Sequence, residues 1–145
     1  IIGGEIKGIS FLDLYAGSGA VGLEALSRGA KRAVFVEKDA LAVKIIEENI
    51  ISCRLSPRSK IWRKNVLNFL PFLLKREKFD FIFVAPPYYK GMQDKTLDIL
   101  EKIKIDKATI IVQHSPRENI NFTRKNMEIV KQKKYGDTIL TFLEV

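Results

Sequence analysis

The segment DLYAGSGAVG, residues 13–22, joins an apolar stretch to a pattern of helical spacing. Its glycines, Gly17, Gly19 and Gly22, form the pattern G-x-G-x-x-G. Glycines placed in this way let the backbone turn tightly and approach a ligand closely, and the following helix offers free N–H groups at its start. Glu37 follows Gly17 by 20 residues and ends the next predicted strand, where a carboxylate can accept both hydroxyls of a ribose. The segment therefore predicts a site for an adenosine-containing cofactor.

Along the rest of the chain, short apolar segments typical of strands alternate with segments whose apolar residues have helical spacing. Gly29 is placed to end the first helix, Asp39 to cap the second, and Pro71 to kink or restart the third. The sequence predicts strands near 10–15, 32–37, 59–65, 78–85 and 107–115, helices near 20–29, 40–52, 66–76 and 92–104, and a hairpin over 126–145 that turns at YGD. This order predicts an α/β fold in which helices cover both faces of a parallel sheet and ligands bind outside the carboxyl ends of its strands.

The composition is that of one globular domain, which we expect to cover residues 1–145. No apolar run approaches the ~20 residues that cross a bilayer, and the first residues lack the pattern of a signal peptide. Cys53 is the single cysteine, so no disulfide can form within the chain. These features favour a cytoplasmic protein.

Basic residues exceed acidic ones, with 25 Lys and Arg against 17 Asp and Glu, for a net charge of +8. Such a surplus indicates either a solubilising surface or a polyanionic partner, most commonly nucleic acid. Residues 53–64 and 124–134 each carry five basic residues and at most one acid. This clustering predicts a basic face.

The stretch FIFVAPPYYK, residues 81–90, takes an apolar strand directly into a stiff aromatic loop. Proline has no N–H, so the carbonyls of Ala85 and Pro86 lack neighbouring donors and can accept hydrogen bonds from an exocyclic amine. The ring of Tyr88 offers a face on which a base can stack. Because this loop should meet the glycine loop across the switch point, it predicts a seat for a base amine beside the cofactor.

The glycine loop by itself is compatible with NAD(H) and with S-adenosylmethionine. Asp13 lies inside the first strand, where a carboxylate could meet the amine of a methionine moiety. The chain also ends in a hairpin instead of a second βαβ half, and it contains no Tyr-x-x-x-Lys set for hydride transfer. These features favour S-adenosylmethionine.

Four segments together resemble the bacterial 16S ribosomal RNA guanine-N2 methyltransferases, in the same order and over nearly the whole chain. They are FLDLYAGSGAVGLEALSRGA (11–30), VFVEKD (34–39), FDFIFVAPPYYKG (79–91) and YGDT (135–138). The resemblance implies a Rossmann-like methyltransferase fold with a mostly parallel seven-stranded sheet and a C-terminal β-hairpin. It also implies S-adenosylmethionine as cofactor and, as acceptor, a guanine N2 amine in 16S rRNA or in the assembling small subunit. We expect a monomer without a metal.

The resemblance assigns roles to particular residues. The cofactor site comprises Asp13, Tyr15, Ala16, Gly17, Ser18, Gly19, Glu37 on the ribose, Lys38, Asn65 against the adenine amine, and Val66. The catalytic loop comprises Ala85, Pro86, Pro87 and Tyr88. Independently of the resemblance, the basic runs and the aromatic loop predict RNA contacts at Arg54, Arg58, Lys60, Arg63, Lys64, Tyr89, Lys90, Arg124 and Lys125, and some of these cations together with Lys131, Lys133 and Lys134 should contact phosphates.

The sequence departs from the family pattern at three places. Ala85 stands where the family has Asp or Asn, and Gln113 stands where the family usually has Glu. The family carries some tens of residues between IIGGE and the first strand that this sequence lacks, and either a natural shortening of the N-terminal segment or a missing stretch of sequence would account for the difference. These departures keep open a second hypothesis, a non-catalytic rRNA-binding relative, while a nicotinamide oxidoreductase is the third.

Overall fold

The computed structural model describes residues 6–145, so the opening IIGGE lies outside the described residues. Over this range the chain forms strands and helices in the predicted order. The strands are β1 (Ser10–Leu14), β2 (Arg32–Val36), β3 (Ser59–Trp62), β4 (Phe81–Val84), β5 (Thr109–His114), β6 (Glu128–Tyr135) and β7 (Thr138–Glu144). The helices are α1 (Ala20–Ser27), α2 (Ala40–Ser52), α3 (Val66–Arg76) and α4 (Met92–Ile103).

The strands form one sheet of order β3-β2-β1-β4-β5-β7-β6. Strands β1 to β5 are parallel, whereas β7 runs antiparallel to both β5 and β6. The chain moves outward from β1 to β3 and then returns to place β4 on the other side of β1. The carboxyl ends of β1 and β4 therefore meet at the switch point of the sheet, where such folds bind ligands.

Two apolar layers enclose the sheet. Leu26 of α1 and Ile46 of α2 pack with Phe11 and Phe35 on one face. On the other face, α3 and α4 pack against the alternate residues of the same strands, through Leu70, Leu73, Leu97 and Leu100. All five residues of β1 are buried, as expected for a central parallel strand covered on both sides.

Local signals place the helix starts. The side chain of Asp39 accepts the N–H of Ala42 at 3.0 Å, and that of Asn65 accepts the N–H of Asn68 at 3.2 Å, so both cap a helix. Helix α3 continues through Pro71, and the restart considered for that position does not occur. The buried residues on both sides of the proline hold the helix against the sheet.

The C-terminal hairpin brings its turn to the ligand-binding side. Ile139 pairs with His114 at the end of β5, and Lys134 pairs with Ile139. The turn around Gly136 therefore lies at the edge formed by the ends of β1 to β5, which we call the carboxyl edge. The amino edge is the opposite one.

Candidate active site at the carboxyl edge

The glycine loop needs its glycines for two different reasons. Gly17 and Gly19 have φ angles of 59° and 78°, a left-handed conformation that other residues rarely adopt. A Cβ on Gly22 would lie 2.4 Å from the ring of Phe35, so this glycine permits α1 to pack closely on β2. The turn and the close packing together hold the start of α1 at the switch point.

Glu37 ties the glycine loop to the next helix. One carboxylate oxygen accepts the N–H of Gly17 at 2.8 Å, and the other accepts the N–H of Asp39 at 2.9 Å. A carboxylate has about four lone-pair positions, so two remain for further donors. Glu37 can therefore hold the loop and still accept ribose hydroxyls, as its predicted role requires.

Asp13 is buried beneath the loop, with 2% of its surface exposed. Its carboxyl group accepts the N–H of Gly22 at 3.1 Å. Burial raises the pKa of Asp13 from 3.8 to about 8, the hydrogen bond from Gly22 lowers it, and the charge of Glu37 raises it further. Asp13 thus faces α1, and it does not line the neighbouring cavity.

A cavity of about 360 Å³ opens between the glycine loop and the Pro-Pro-Tyr loop. Its volume falls within the range of ~300–1,000 Å³ that is typical of small-molecule sites. Its walls combine residues predicted for the cofactor (Tyr15, Glu37, Lys38, Asn65 and Val66) with residues of the acceptor loop (Ala85, Pro86, Pro87, Tyr88 and Lys90), and Lys64 and Met92 complete them. The fold therefore brings half of the predicted cofactor residues and all four predicted catalytic residues to one cavity, whereas Ala16, Gly17, Ser18 and Gly19 lie outside its wall.

The Pro-Pro-Tyr loop forms the acceptor side of the cavity, and it presents backbone oxygens there. Among residues 6–145, the carbonyls of Ala85 and Pro86 receive no hydrogen bond, so both can accept an amine. The hydroxyl of Tyr88 bonds to Thr138 at 2.8 Å, which fixes the tyrosine ring against the hairpin turn. Among residues 6–145, the only carboxylate on the cavity wall is that of Glu37, on the cofactor side. The acceptor side can thus orient an amine but offers no side-chain base.

Glu118 holds the acceptor loop in place, and sequence reasoning gave it no role. Its carboxylate accepts the N–H of Tyr89 at 2.8 Å and that of Ser115 at 2.8 Å. The hydroxyl of Tyr89 also bonds to Ser115 at 2.7 Å. Since Glu118 is separated from Tyr89 by 29 residues, no local pattern signalled this contact.

Two tyrosines around the cavity have backbone conformations that are unusual for bulky residues. Tyr15 has a φ of 60° and Tyr89 a φ of 62°. Each is held by its hydroxyl, and that of Tyr15 bonds to Thr96 of α4 at 2.7 Å. Burial raises the pKa of Tyr15, and the bond to Thr96 lowers it. Such conformations persist where surrounding contacts enforce them, as at binding sites.

The structure divides the basic run of residues 53–64 between two edges. Arg63 and Lys64 follow β3 and lie at the carboxyl edge, where Lys64 reaches the cavity. Arg54 and Arg58 precede β3 and lie at the amino edge, where Arg58 donates to the carbonyl of Ala30 at 2.6 Å. Lys60 is on the outer strand between them, over the ring of Trp62. A single face made by this run, as predicted from the sequence, does not form.

Arg124 does not belong to an exposed basic face either. Its side chain is 5% exposed and forms ion pairs with the α4 residues Asp94, Asp98 and Glu101 at 2.8, 2.5 and 3.3 Å. Lys125 is exposed beside the same helix, and its backbone N–H donates a hydrogen bond to the carboxylate of Glu101 at 2.8 Å. We therefore remove Arg124 from the RNA contacts, because its charge is already neutralised.

Two absences apply to the part of the chain that the structure describes. None of its helices has the length and apolar character needed to cross a membrane. Its His, Cys, Asp and Glu side chains form no cluster of three or more that could hold a metal ion.

The sheet order, the glycine loop and the cavity at the switch point define the class of this protein, a Rossmann-like fold shared with methyltransferases. The fold predicted from the sequence is confirmed. A solved structure of the ribosomal protein L11 methylase from Lactobacillus delbrueckii shares the fold, with a TM-score of 0.68, 16% identity, and coverage of 96% of this chain and 70% of that one. A conserved hypothetical protein from Streptococcus pyogenes is more similar, with a TM-score of 0.86, 29% identity, and coverage of 95% of this chain and 86% of that one.

The chain belongs to the family described as Conserved hypothetical protein 95, whose model matches residues 1–144. Ribosomal RNA small subunit methyltransferase D of Buchnera aphidicola is 32% identical over 129 residues, which are 88% of this chain and 66% of that protein. The chain thus spans just under two thirds of the length of that relative. The resemblance drawn from the motifs is confirmed.

Proposed function

We propose that this protein is an S-adenosylmethionine-dependent methyltransferase that modifies the N2 amine of a guanine in 16S rRNA. The observation that carries the proposal is the single cavity at the switch point. One wall of it comes from the residues predicted for the cofactor and the other from the Pro-Pro-Tyr loop. A donor and an acceptor held there would be neighbours. The name of the Buchnera relative supports rRNA as the substrate.

The chemistry of the cofactor wall fits an adenosine with a charged tail. Glu37 retains lone pairs for ribose hydroxyls after binding two backbone N–H groups. Asn65 lies on the wall with its oxygen engaged by the helix cap, which leaves its amide N–H groups for a ring nitrogen. Tyr15 and Val66 supply apolar surface for a planar base. Asp13 would act from behind the wall, through the start of α1, because it does not reach the cavity.

The acceptor wall would position an amine for direct attack. When bound, S-adenosylmethionine supplies a methyl group on a positively charged sulfur. The carbonyls of Ala85 and Pro86 are free to accept the two N–H groups of the amine, which turns its nitrogen toward the methyl. Tyr88, held by Thr138, would stack on the base. Transfer would form an N–C bond as the C–S bond breaks, and the amine proton would pass to water, since no carboxylate of the described residues lines the acceptor side of the cavity. Alignment of this kind can lower a barrier substantially.

One observation favours a second candidate, a non-catalytic rRNA-binding protein. Ala85 supplies no side-chain acceptor, and no carboxylate among the described residues lines the acceptor side of the cavity. Such a protein would still bind a base in the Pro-Pro-Tyr loop. For the nicotinamide hypothesis we find no comparable support.

A methyl-transfer assay separates these functions. We expect tritium from methyl-labelled S-adenosylmethionine to enter 16S rRNA in small subunits that lack the guanine methyl. Digestion to nucleosides should then yield N2-methylguanosine. Binding of S-adenosylhomocysteine without transfer would support the non-catalytic candidate. Binding of NADH but not of S-adenosylhomocysteine would refute the cofactor assignment.

A further inference from the structure

The positions of the unpaired basic residues at the carboxyl edge suggest how a nucleic acid lies on this protein. On the β3 side of the cavity, Arg63 is exposed beyond the wall and Lys64 is exposed on the wall itself. Beyond the cavity on the β6 side, Lys134 and Tyr135 are exposed, and Lys133 is half-buried. In the described structure none of these four cations forms an ion pair.

We propose that single-stranded RNA runs along the carboxyl edge and is held at both ends, by Arg63 and Lys64 on one side and by Lys133, Lys134 and Tyr135 on the other. The acceptor base would enter the cavity between these two anchors. This inference rests on the proposed function, since it assumes an RNA base in the Pro-Pro-Tyr loop. It specifies the path of the RNA across the protein, and it predicts that the cations of the amino edge do not contact the RNA.

The path follows from where the cavity opens. A strand that places one base in the cavity must pass over the carboxyl edge on both sides of it. The sheet separates this edge from the amino edge by strands of about five residues, or ~17 Å at ~3.3 Å per residue. Cations of the amino edge, such as Lys31 and Lys78, therefore cannot contact the nucleotides that flank that base.

The distance between the anchors sets the length of RNA. β3 and β6 are the outermost strands of the seven, so six inter-strand steps separate them. At ~4.8 Å for each step the anchors lie ~29 Å apart. A stacked strand advances ~3.4 Å per nucleotide, so about nine nucleotides connect them.

Aromatic and polar groups continue the path between the cavity and the second anchor. Tyr89 is 60% exposed and Tyr135 is 48% exposed, so both present rings on which bases can stack. Arg117 lies between them and reaches Asp137 of the hairpin turn at 3.9 Å. The pKa of Arg117 is raised, chiefly by the neighbouring side chain of Tyr89 and then by the charge of Asp137. The exposed acid of the hairpin turn thus has a cation beside it.

The test compares three double variants of equal charge change. Arg63→Gln/Lys64→Gln removes the first anchor and Lys133→Gln/Lys134→Gln the second, while Lys31→Gln/Lys78→Gln removes two exposed cations of the amino edge. Fluorescence anisotropy would measure binding of a labelled single-stranded RNA of about 12 nucleotides, long enough to span both anchors, over a range of salt concentrations. Titration of S-adenosylhomocysteine would check the cofactor site in each variant.

Each anchor variant should lose two phosphate contacts. For single strands this reduces the slope of log affinity against log salt by about 1.4, and it lowers affinity ~25-fold near 0.1 M salt. The amino-edge variant should bind like the wild type. A probe of about four nucleotides, which spans only ~14 Å, should respond to at most one anchor variant.

Three outcomes would overturn the inference. They are an equal loss in the amino-edge variant, an unchanged affinity in either anchor variant, and no RNA binding by the wild type. If the wild type binds S-adenosylhomocysteine normally in these cases, the cofactor assignment stands and only the RNA path fails. RNA binding that depends on both anchors, without binding of S-adenosylhomocysteine, would refute the proposed function and keep the RNA path.

Discussion

Replacing Asp13 by Asn should change the way the stability of this protein depends on pH. The pKa of Asp13 is raised from 3.8 to about 8, chiefly by burial. The hydrogen bond from Gly22 lowers it in part, and the charge of Glu37 adds to the increase. Between these two pH values the folded protein keeps a proton that the unfolded chain has released. The stabilising contribution of Asp13 is therefore complete below about pH 4 and is lost as the pH rises toward 8.

The size of the effect follows from the interval between the two pKa values. Within it, each pH unit changes the free energy of unfolding by ~1.4 kcal/mol per proton. Between pH 5 and pH 7.5, Asp13 should lower the stability of the wild type by about 3 kcal/mol. Asparagine keeps an oxygen for the N–H of Gly22, now accepted at 3.1 Å, and cannot ionise. Asp13→Asn should therefore gain about 3 kcal/mol relative to the wild type over this range.

Urea denaturation followed by circular dichroism, at pH 5 and pH 7.5, measures this difference. Asp106→Asn is the matched control, because it removes one exposed carboxylate at the amino edge. The reasoning is refuted if the stability difference between Asp13→Asn and the wild type is the same at both pH values. It is also refuted if the control shows the same change.

Three further predictions concern the cavity and the ion pairs of Arg124. Ala85→Asp should raise the single-turnover rate of methyl transfer by about 10²–10³ without changing affinity for S-adenosylhomocysteine, since it adds an electrostatic contact to the amine; an unchanged rate would show that the carbonyls suffice. Glu37→Ala should weaken S-adenosylhomocysteine binding about 10–100-fold in calorimetry and lower the melting temperature, because the N–H of Gly17 loses its acceptor; unaltered binding would remove Glu37 from the site. Arg124→Ala should lower the free energy of unfolding by about 1–3 kcal/mol, less than for a fully buried pair because its partners on α4 are partly exposed, and RNA binding should be unaffected. A loss of RNA affinity without loss of stability would return Arg124 to the binding surface.

The sequence by itself determined the elements and the chemistry that depend on neighbours in the chain. Helix α2 begins where it was predicted, because Asp39 caps it through a contact three residues away. The glycine loop was predictable because Gly17 and Gly19 adopt conformations that few other residues accept. The free carbonyls of Ala85 and Pro86 follow from the absence of N–H groups in the prolines beside them.

Only the tertiary structure decided which of these groups share a surface. Residues 53–64 form one basic run in the sequence, yet the direction of β3 sends Arg54 to one edge of the sheet and Arg63 to the other. Arg124 lies in such a run but is enclosed by Asp94, Asp98 and Glu101, whose spacing on one face of α4 was visible in the sequence although their partner was not. Asp13 was placed correctly inside β1, but its contact with Gly22 depends on how α1 returns over the sheet. Hydrogen bonds and caps act over a few residues and leave a local pattern, whereas burial and edge position result from pairing between distant strands.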